Sequence, residues 1–266
     1  MNSQVSQEIK QIKKPKIQIF YDYQDKQFEQ NYYDSILYIL NLQYKSIEDI
    51  GCRMHWQGLD DEIKGFKEGD YIEKNGGKFY LIYDNSQDVQ NQEHEENQEE
   101  MFYYNKNEAN LELSLIKATE YDQSPLKYSV DITQYELVSM QKQNKQLDQD
   151  RIVGCIALRQ LPKYEDKIFQ KQQKEKGIQI ERKFQGEIKR MFVHPKYRKQ
   201  GFPKLINEVL IRDALQKFGY KELYLDTLHR ITGVQNLYRN VFGYSYIDQY
   251  NENPEADAVY MYKAYN

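Results

Sequence analysis

The chain alternates between stretches with a clear hydrophobic rhythm and stretches with almost none. IQIFYDY at 17–23 alternates well enough to predict a strand. Phe28, Tyr32, Ile36, Leu37 and Leu40 then recur at three- to four-residue spacing and predict a helix. Residues 41–70 are mixed, with Gly51, Gly58, Gly65 and Gly69 breaking any long element. KFYLIYD at 78–84 predicts a second strand, introduced by the Gly76-Gly77 turn.

The rhythm then disappears. NSQDVQNQEHEENQEE at 85–100 has almost no apolar side chain to bury, so burial cannot offset the entropy of ordering it, and it is predicted to be disordered. Its charge run at 93–100 reads as a solvated loop. LELSLI at 111–116 recovers some apolar content, and QKQNKQLDQD at 141–150 is polar again. Residues 85–150 therefore read as an insertion, partly ordered at best. It lies within a single domain at 16–266 that follows a flexible arm at 1–15.

From 151 the pattern is regular. RIVGCIALR is a continuous apolar run, as in a strand covered on both faces. Residues 163–185 form a polar connection, and GEIKRMFV at 186–193 is the next strand. Pro203 opens a helix whose stripe is Leu205, Ile206, Val209, Leu210, Ala214, Leu215 and Phe218, with Gly219 past its end. KELYLDT at 221–227 is a strand. Residues 230–242 make a second helix, with Val234, Leu237, Tyr238 and Val241 on one face and Gly243 as its cap. GYSYIDQY and AVYMYKA supply two final strands. The order predicts an α/β fold with a mixed sheet, in which helix-joined strands pair in parallel through right-handed crossovers.

Composition narrows the class. The apolar fraction is 39%, and it includes 25 tyrosines. Counting glycine instead of tyrosine lowers it to about 35%, against about 45–50% for an ordinary globular chain, which supports an ordinary domain carrying polar insertions. A net charge of −4 gives no global support for nucleic-acid binding. Cys52 and Cys155 are too few for a disulfide framework or a four-thiolate zinc site, and no cluster has metal spacing, so no metal is expected. No apolar run approaches the length of a membrane span, and the N-terminus lacks the apolar core of a secretory signal. A cytoplasmic protein with no membrane or nucleic-acid partner is expected.

The chemically informative segment is EIKRMFVHPKYRKQGFPKLI at 187–206. A strand enters a short basic turn, Arg198-Lys199-Gln200-Gly201-Phe202-Pro203, which runs directly into a helix. Free N–H groups and the helix dipole make such a turn an anion cradle, and Gly201 permits close backbone approach. Read by spacing alone, it serves equally as a basic surface turn. It is neither a P-loop nor a dinucleotide fingerprint.

Arg198-x-x-Gly201-x-Pro203 after MFVHP resembles motif A of the GNAT N-acetyltransferase superfamily, whose Gln/Arg-x-x-Gly-x-Gly/Ala wraps the pyrophosphate of acetyl-CoA. RIVGCIALR, LYLDT and NLYRNVFGY resemble the neighbouring strand, later strand and later helix of that family. The resemblance covers about 151–266, with a weaker match at 17–84. It implies a mostly antiparallel central sheet with splayed parallel strands, flanked by helices. Pro203 departs from the pattern and removes one N–H donor.

The resemblance also implies roles. The backbone of Met191, Phe192 and Val193 is expected to pair with the pantetheine arm. The N–H groups of Arg198, Lys199, Gln200, Gly201 and Phe202 are expected to hold the pyrophosphate, with Asn236 a weaker cofactor contact. Glu187, or a water it holds, would be the general base, although by its residues alone it reads equally as a solvated or ion-paired strand-end carboxylate. Glu222 and Asp226 are the rival carboxylates; Asp226 ends its strand, where open α/β sheets place ligands. Tyr238 would protonate the leaving thiolate, its other reading being core packing. His194 reads as a structural turn residue, and His55 beside Trp56 is the one histidine placed on the acceptor side.

The implied reaction is direct attack of a neutral primary amine on acetyl-CoA, with no covalent enzyme intermediate. A Tyr-x-x-Asn-Pro loop between the last strands resembles members acting on small molecules; a peptide or protein amine stays open as acceptor. The alternative is a non-catalytic acyl-CoA-binding module on the same fold. A nucleotide-binding protein would lack any base or magnesium motif.

Overall fold

Continuous apolar sequence produces the strands at the centre of the molecule, and polar alternation produces those at its rim. The computed structural model describes residues 17–21, 30–51, 64–66, 68–85, 135–139, 147–162, 181–251, 253 and 255–265. The strands are β1 (Ile17–Tyr21), β2 (Lys78–Asp84), β3 (Tyr135–Ser139), β4 (Ile152–Gln160), β5 (Gln185–Val193), β6 (Glu222–Leu228), β7 (Ser245–Ile247) and β8 (Ala258–Ala264). The helices are α1 (Gln30–Glu48), α2 (Phe202–Arg212) and α3 (Thr232–Asn236). A π-helical turn extends α2 through Asp213–Lys217, and another extends α3 through Leu237–Val241. One eight-stranded sheet has the order β3-β1-β2-β4-β5-β6-β8-β7. It is mostly antiparallel, with parallel pairs β1–β3 and β5–β6.

Two faces of this sheet carry different cores. Tyr32, Ile36, Ile39 and Leu40 of α1 pack on Phe79, Leu81, Cys155 and Ala157. Each fully buried aliphatic side chain there contributes about 1.5–3 kcal/mol. The stripe of α2, Leu205, Ile206, Val209 and Leu210, packs on the other face with Tyr80, Ile156, Leu158, Ile188 and Leu223. Tyr238 and Tyr244 join the α2 side. A small third cluster, Leu161, Tyr224, Tyr250 and Tyr260, lies over β6 and β8.

The structure revises several sequence expectations. The helix at Ile36 does not stop near residue 40 but runs to Glu48, because Tyr44 and Ile47 extend its buried stripe. Of three pairs of strands joined through helices, only β5 and β6 pair in parallel. β1 and β2 are antiparallel, with Tyr21 opposite Tyr80. β2 therefore starts at the end of the sheet where β1 finishes. β6 and β7 do not pair at all, since β8 inserts between them.

Within 85–150, residues 135–139 form β3 at the sheet edge, and Leu147 is buried under α1. Asp84 and Arg151, which flank that segment, lie side by side, with Arg151 Nε donating to the Asp84 carbonyl at 2.7 Å. The readings of 1–15, 86–134, Phe28, Cys52 and His55 fall outside the described residues.

Candidate functional site

Strands β5 and β6 pair only over Gln185–Glu187 and Glu222–Tyr224, then part. The cause is visible in β5. Its register against β4 shifts between Cys155 and Ala157, and Arg190 adopts φ 57°. Cys155 Sγ donates to the displaced Arg190 carbonyl at 3.1 Å. Gly154 is required here, since a Cβ would stand 2.4 Å from the Phe192 carbonyl oxygen. The result is a split between Ile188–Val193 and Leu225–Leu228, where β6 no longer pairs with the β5 backbone.

At the end of β5 the basic turn takes the expected form. Gly201 has φ 87° and precedes the first turn of α2, with Pro203 in that turn. A Cβ on Gly201 would meet nothing within 4 Å, so the turn faces open space. The Arg198 N–H is already used by the Pro195 carbonyl at 3.2 Å. The N–H groups of Lys199, Gln200, Gly201 and Phe202 have no backbone partner among the described residues. Proline costs little in the first helical turn, whose N–H groups are unpaired within a helix in any case. These donors, Lys199 and Arg198 fit an anionic ligand such as a pyrophosphate. Arg198 Nε also donates to the Val193 carbonyl at 3.1 Å, and Gln43 Nε2 reaches the Met191 carbonyl at 3.4 Å. Phe192 is buried between these two engaged carbonyls.

On the same face Tyr238 is buried, and its hydroxyl donates to Met191 Sδ at 3.2 Å. Phe242 and Tyr244 hold its ring edge-on at 5.5 and 5.3 Å. Burial pushes the phenol well above its ordinary value, so it stays protonated at neutral pH. Asn236, at the end of α3, is exposed.

The carboxylates lie on the opposite, α1 side of the split. Arg159 of β4 is opposite Glu187, and Lys189 follows on the same face. Glu187 is fully buried: Oε2 accepts from Arg159 Nε at 2.8 Å and Oε1 from the Tyr250 hydroxyl at 2.9 Å. Arg159 also pairs with Asp70 at 3.3 Å. Lys189 Nζ lies 2.8 Å from Asp226 Oδ1 and 3.6 Å from Glu187 Oε1. Asn253 Nδ2 donates to Asp226 Oδ2 at 2.7 Å. Burial opposes the ionised form of Asp226, but Lys189 and Asn253 outweigh it and hold the carboxyl below its ordinary value.

Glu222 sits at the closed end of the β5–β6 pair. It accepts from Gln185 (2.7 Å), Tyr224 (2.9 Å) and Tyr262 (2.8 Å) and is a structural anchor. The His194 Nδ1 accepts from the Lys196 N–H at 3.2 Å and caps the turn at Pro195–Tyr197. Burial, together with Lys196 and Arg198, lowers its pKa. It is a turn residue.

Sequence reading missed Arg159 and Lys189, and it marked Tyr250 only as the tyrosine of the Tyr-x-x-Asn-Pro loop. Only the i, i+2 spacing of Glu187 and Lys189 in a strand signalled that the two share a face. Asn253 belongs to the Tyr-x-x-Asn-Pro loop, which was visible without its partner Asp226.

The sequence profile of the acetyltransferase (GNAT) family matches residues 95–244, more than half of the chain. Over 77 residues the chain is 36% identical to an uncharacterized N-acetyltransferase of Dictyostelium discoideum. That match covers 29% of this chain and 35% of the relative, so the chain spans about a third of that relative's length. Among solved structures, an acetyltransferase from Streptococcus agalactiae shares 14% identity at a TM-score of 0.48, over 94% of this chain and 98% of the other. The Campylobacter jejuni N-acetyltransferase solved in complex with acetyl coenzyme A shares 13% identity at a TM-score of 0.30, over 44% and 63%.

Proposed function

This chain belongs to the acetyltransferase (GNAT) family, and from that premise we propose that it is an N-acetyltransferase that moves the acetyl group of acetyl-CoA onto a primary amine. One observation carries the reading: a buried phenol, Tyr238, is held 3.2 Å from a thioether sulfur on β5. It lies on the face of the split that also ends in the open donors of residues 199–202. A protonated hydroxyl aimed at sulfur is what a departing thiolate needs. When bound, acetyl-CoA supplies an activated thioester carbonyl.

The residues divide the work across the split. Lys199 to Phe202 hold the pyrophosphate with backbone donors, and Arg198 adds charge. The unpaired edge of β5 at Met191–Val193 holds the pantetheine amides as an added strand would. Asn236 makes a further cofactor contact from α3. A neutral amine enters from the α1 face and attacks directly. Glu187, or a water it holds, takes the amine's proton. Arg159 and Tyr250 anchor one oxygen each and so fix the orientation of the carboxylate. Asp226 is the weaker base, because Lys189 and Asn253 stabilise its ionised form. Tyr238 protonates the leaving thiolate. The acceptor is a small molecule, enclosed by the loop that carries Tyr250 and Asn253.

The second reading, a non-catalytic acyl-CoA-binding module, is favoured by the engagement of both Glu187 oxygens. Calorimetry with acetyl-CoA, CoA and ATP, followed by thiol release across an amine panel, separates the two. Tight acetyl-CoA binding with no turnover of any amine would sink the enzymatic reading.

A further inference from the structure

The α1 face of the split is organised around one cation. Lys189 Nζ reaches from β5 to Asp226 on β6 at 2.8 Å, over the stretch where the strands no longer pair. It also faces Glu187 Oε1 at 3.6 Å. The Lys189 side chain is 17% exposed, against 7% for Asp226 and 0% for Glu187, so the ammonium stands between solvent and two deeper carboxylates. Asp226 does not depend on the lysine for its orientation, because Asn253 Nδ2 fixes its other oxygen at 2.7 Å. Asn251, in the same loop, is buried with its Oδ1 unpartnered among the described residues.

The charge count favours a cation too. Asp70, Glu187 and Asp226 are joined through Arg159 and Lys189, with Arg190 adding positive charge near Asp226. If Lys189 swings away on its flexible four-carbon stem, two negative charges stay behind with one anchored carboxylate facing the opening.

We infer that Lys189 keeps the place of a cationic group of the acceptor, and that the acceptor carries a second ammonium besides the amine that is acetylated. This rests on the N-acetyltransferase reading above. The reacting nitrogen must be neutral to attack. A nitrogen held between two carboxylates is instead stabilised in its charged form. The position of Lys189 Nζ therefore suits an ammonium that stays charged, while the reacting amine lies deeper in the split. The class is a diamine or polyamine, and the acceptor's cation replaces Lys189 at Asp226.

The test measures kcat/KM for cadaverine, spermidine and pentylamine with the full-length chain at saturating acetyl-CoA. Pentylamine matches cadaverine in length and lacks its second charge. The two polyamines are expected to exceed pentylamine by about 10- to 100-fold, the range of a charge-assisted hydrogen bond. Asp226→Asn should bring that ratio close to one. Lys189→Met should lower KM for cadaverine and not for pentylamine, since the internal competitor is gone; this variant reads out even if Asp226→Asn fails to fold. A wild-type ratio near one, a ratio that survives Asp226→Asn, or an unchanged cadaverine KM in Lys189→Met overturns the inference. Acetyl-CoA binding without turnover of any of the three amines overturns the acceptor class alone. Absence of acetyl-CoA binding by calorimetry removes the N-acetyltransferase reading with it.

Discussion

Replacing Tyr238 by Phe removes one hydroxyl from the proposed site and little else. The ring keeps its edge-on contacts with Phe242 and Tyr244, and the bond that is lost ran to a thioether sulfur, a weak acceptor. The stability loss should therefore stay within about 1 kcal/mol. Catalysis should suffer more. General acids contribute about 10²–10⁴-fold, and a thiolate with a pKa near ~8.5 needs less help than an alkoxide, which places the loss near the lower end. A drop of about 10²-fold corresponds to about 2.7 kcal/mol of transition-state stabilisation. Burial keeps the phenol protonated far above neutrality, so the deficit should be the same from about pH 6 to 9. Single-turnover quench experiments on enzyme saturated with acetyl-CoA isolate the chemical step from product release. Calorimetry on the same variant should show an unchanged acetyl-CoA affinity. If the phenylalanine variant keeps its single-turnover rate within about twofold across that range, the sulfur contact is packing alone and Tyr238 is not the acid.

Other outcomes follow from the same geometry. Arg198→Glu should weaken acetyl-CoA binding at least about tenfold by calorimetry, because it places an anion beside the pyrophosphate turn and removes the bond to the Val193 carbonyl. Glu187→Gln should slow turnover mainly at low pH, with partial recovery at high pH where more amine is neutral; a flat pH profile of the deficit would remove Glu187 as base. Asp213→Asn should cost about 1–3 kcal/mol in denaturant unfolding, since buried Lys78 (2.7 Å) loses a carboxylate that Tyr80 also binds (2.6 Å) but keeps its pair with Glu73 at 3.1 Å. Burial opposes ionised Asp213, but Lys78 and Arg212 prevail and lower its pKa. Its stabilisation is therefore full above the ordinary carboxyl range and is lost as pH falls through the lower folded value, and the wild-type-minus-variant difference should shrink in acid. Replacing 87–134 with about four Gly/Ser residues should leave a cooperative melt, because the gap from β2 to β3 is about two strand spacings, or about 10 Å. Loss of the transition would show that the segment carries core.

The cofactor side of this site was legible in the sequence because it is local. The strand Met191–Val193, the turn 198–203 and the stripe of α2 follow one another along the chain, and each leaves a periodicity, a glycine or a proline as its mark. The acceptor side left almost no mark, because its contacts are long-range. Glu187 meets Arg159 from the neighbouring strand and Tyr250 from a distant loop. Lys189 meets Asp226 only because the Arg190 bulge parts β5 from β6 without moving them out of a side chain's reach. Nothing in the residues themselves specifies such a bulge; a non-glycine at φ 57° is held by its surroundings, here by Cys155 Sγ and the close approach at Gly154. The same feature explains the missed strand connections. A helix between two strands fixes that the chain crosses the sheet, but the number of passes decides the direction of return.

The division into a local and a long-range half has a consequence for specificity. On the proposed reading the turn at 198–203 would recognise its ligand mainly through backbone N–H groups, which side-chain substitution leaves in place. The α1 face would instead recognise an acceptor through side chains drawn from β4, β5, β6 and the loop before β8, each able to change one at a time. Acceptor choice can thus drift while cofactor binding is kept. This chain carries a buried carboxylate pair with a lysine across it. A neutral acceptor would gain nothing from Asp226 and would still have to displace the Lys189 ion pair, whereas a cationic one trades ion pair for ion pair. The exchange costs little for a diamine, whereas an uncharged competitor forgoes one charge-assisted hydrogen bond, about 1.5–3 kcal/mol.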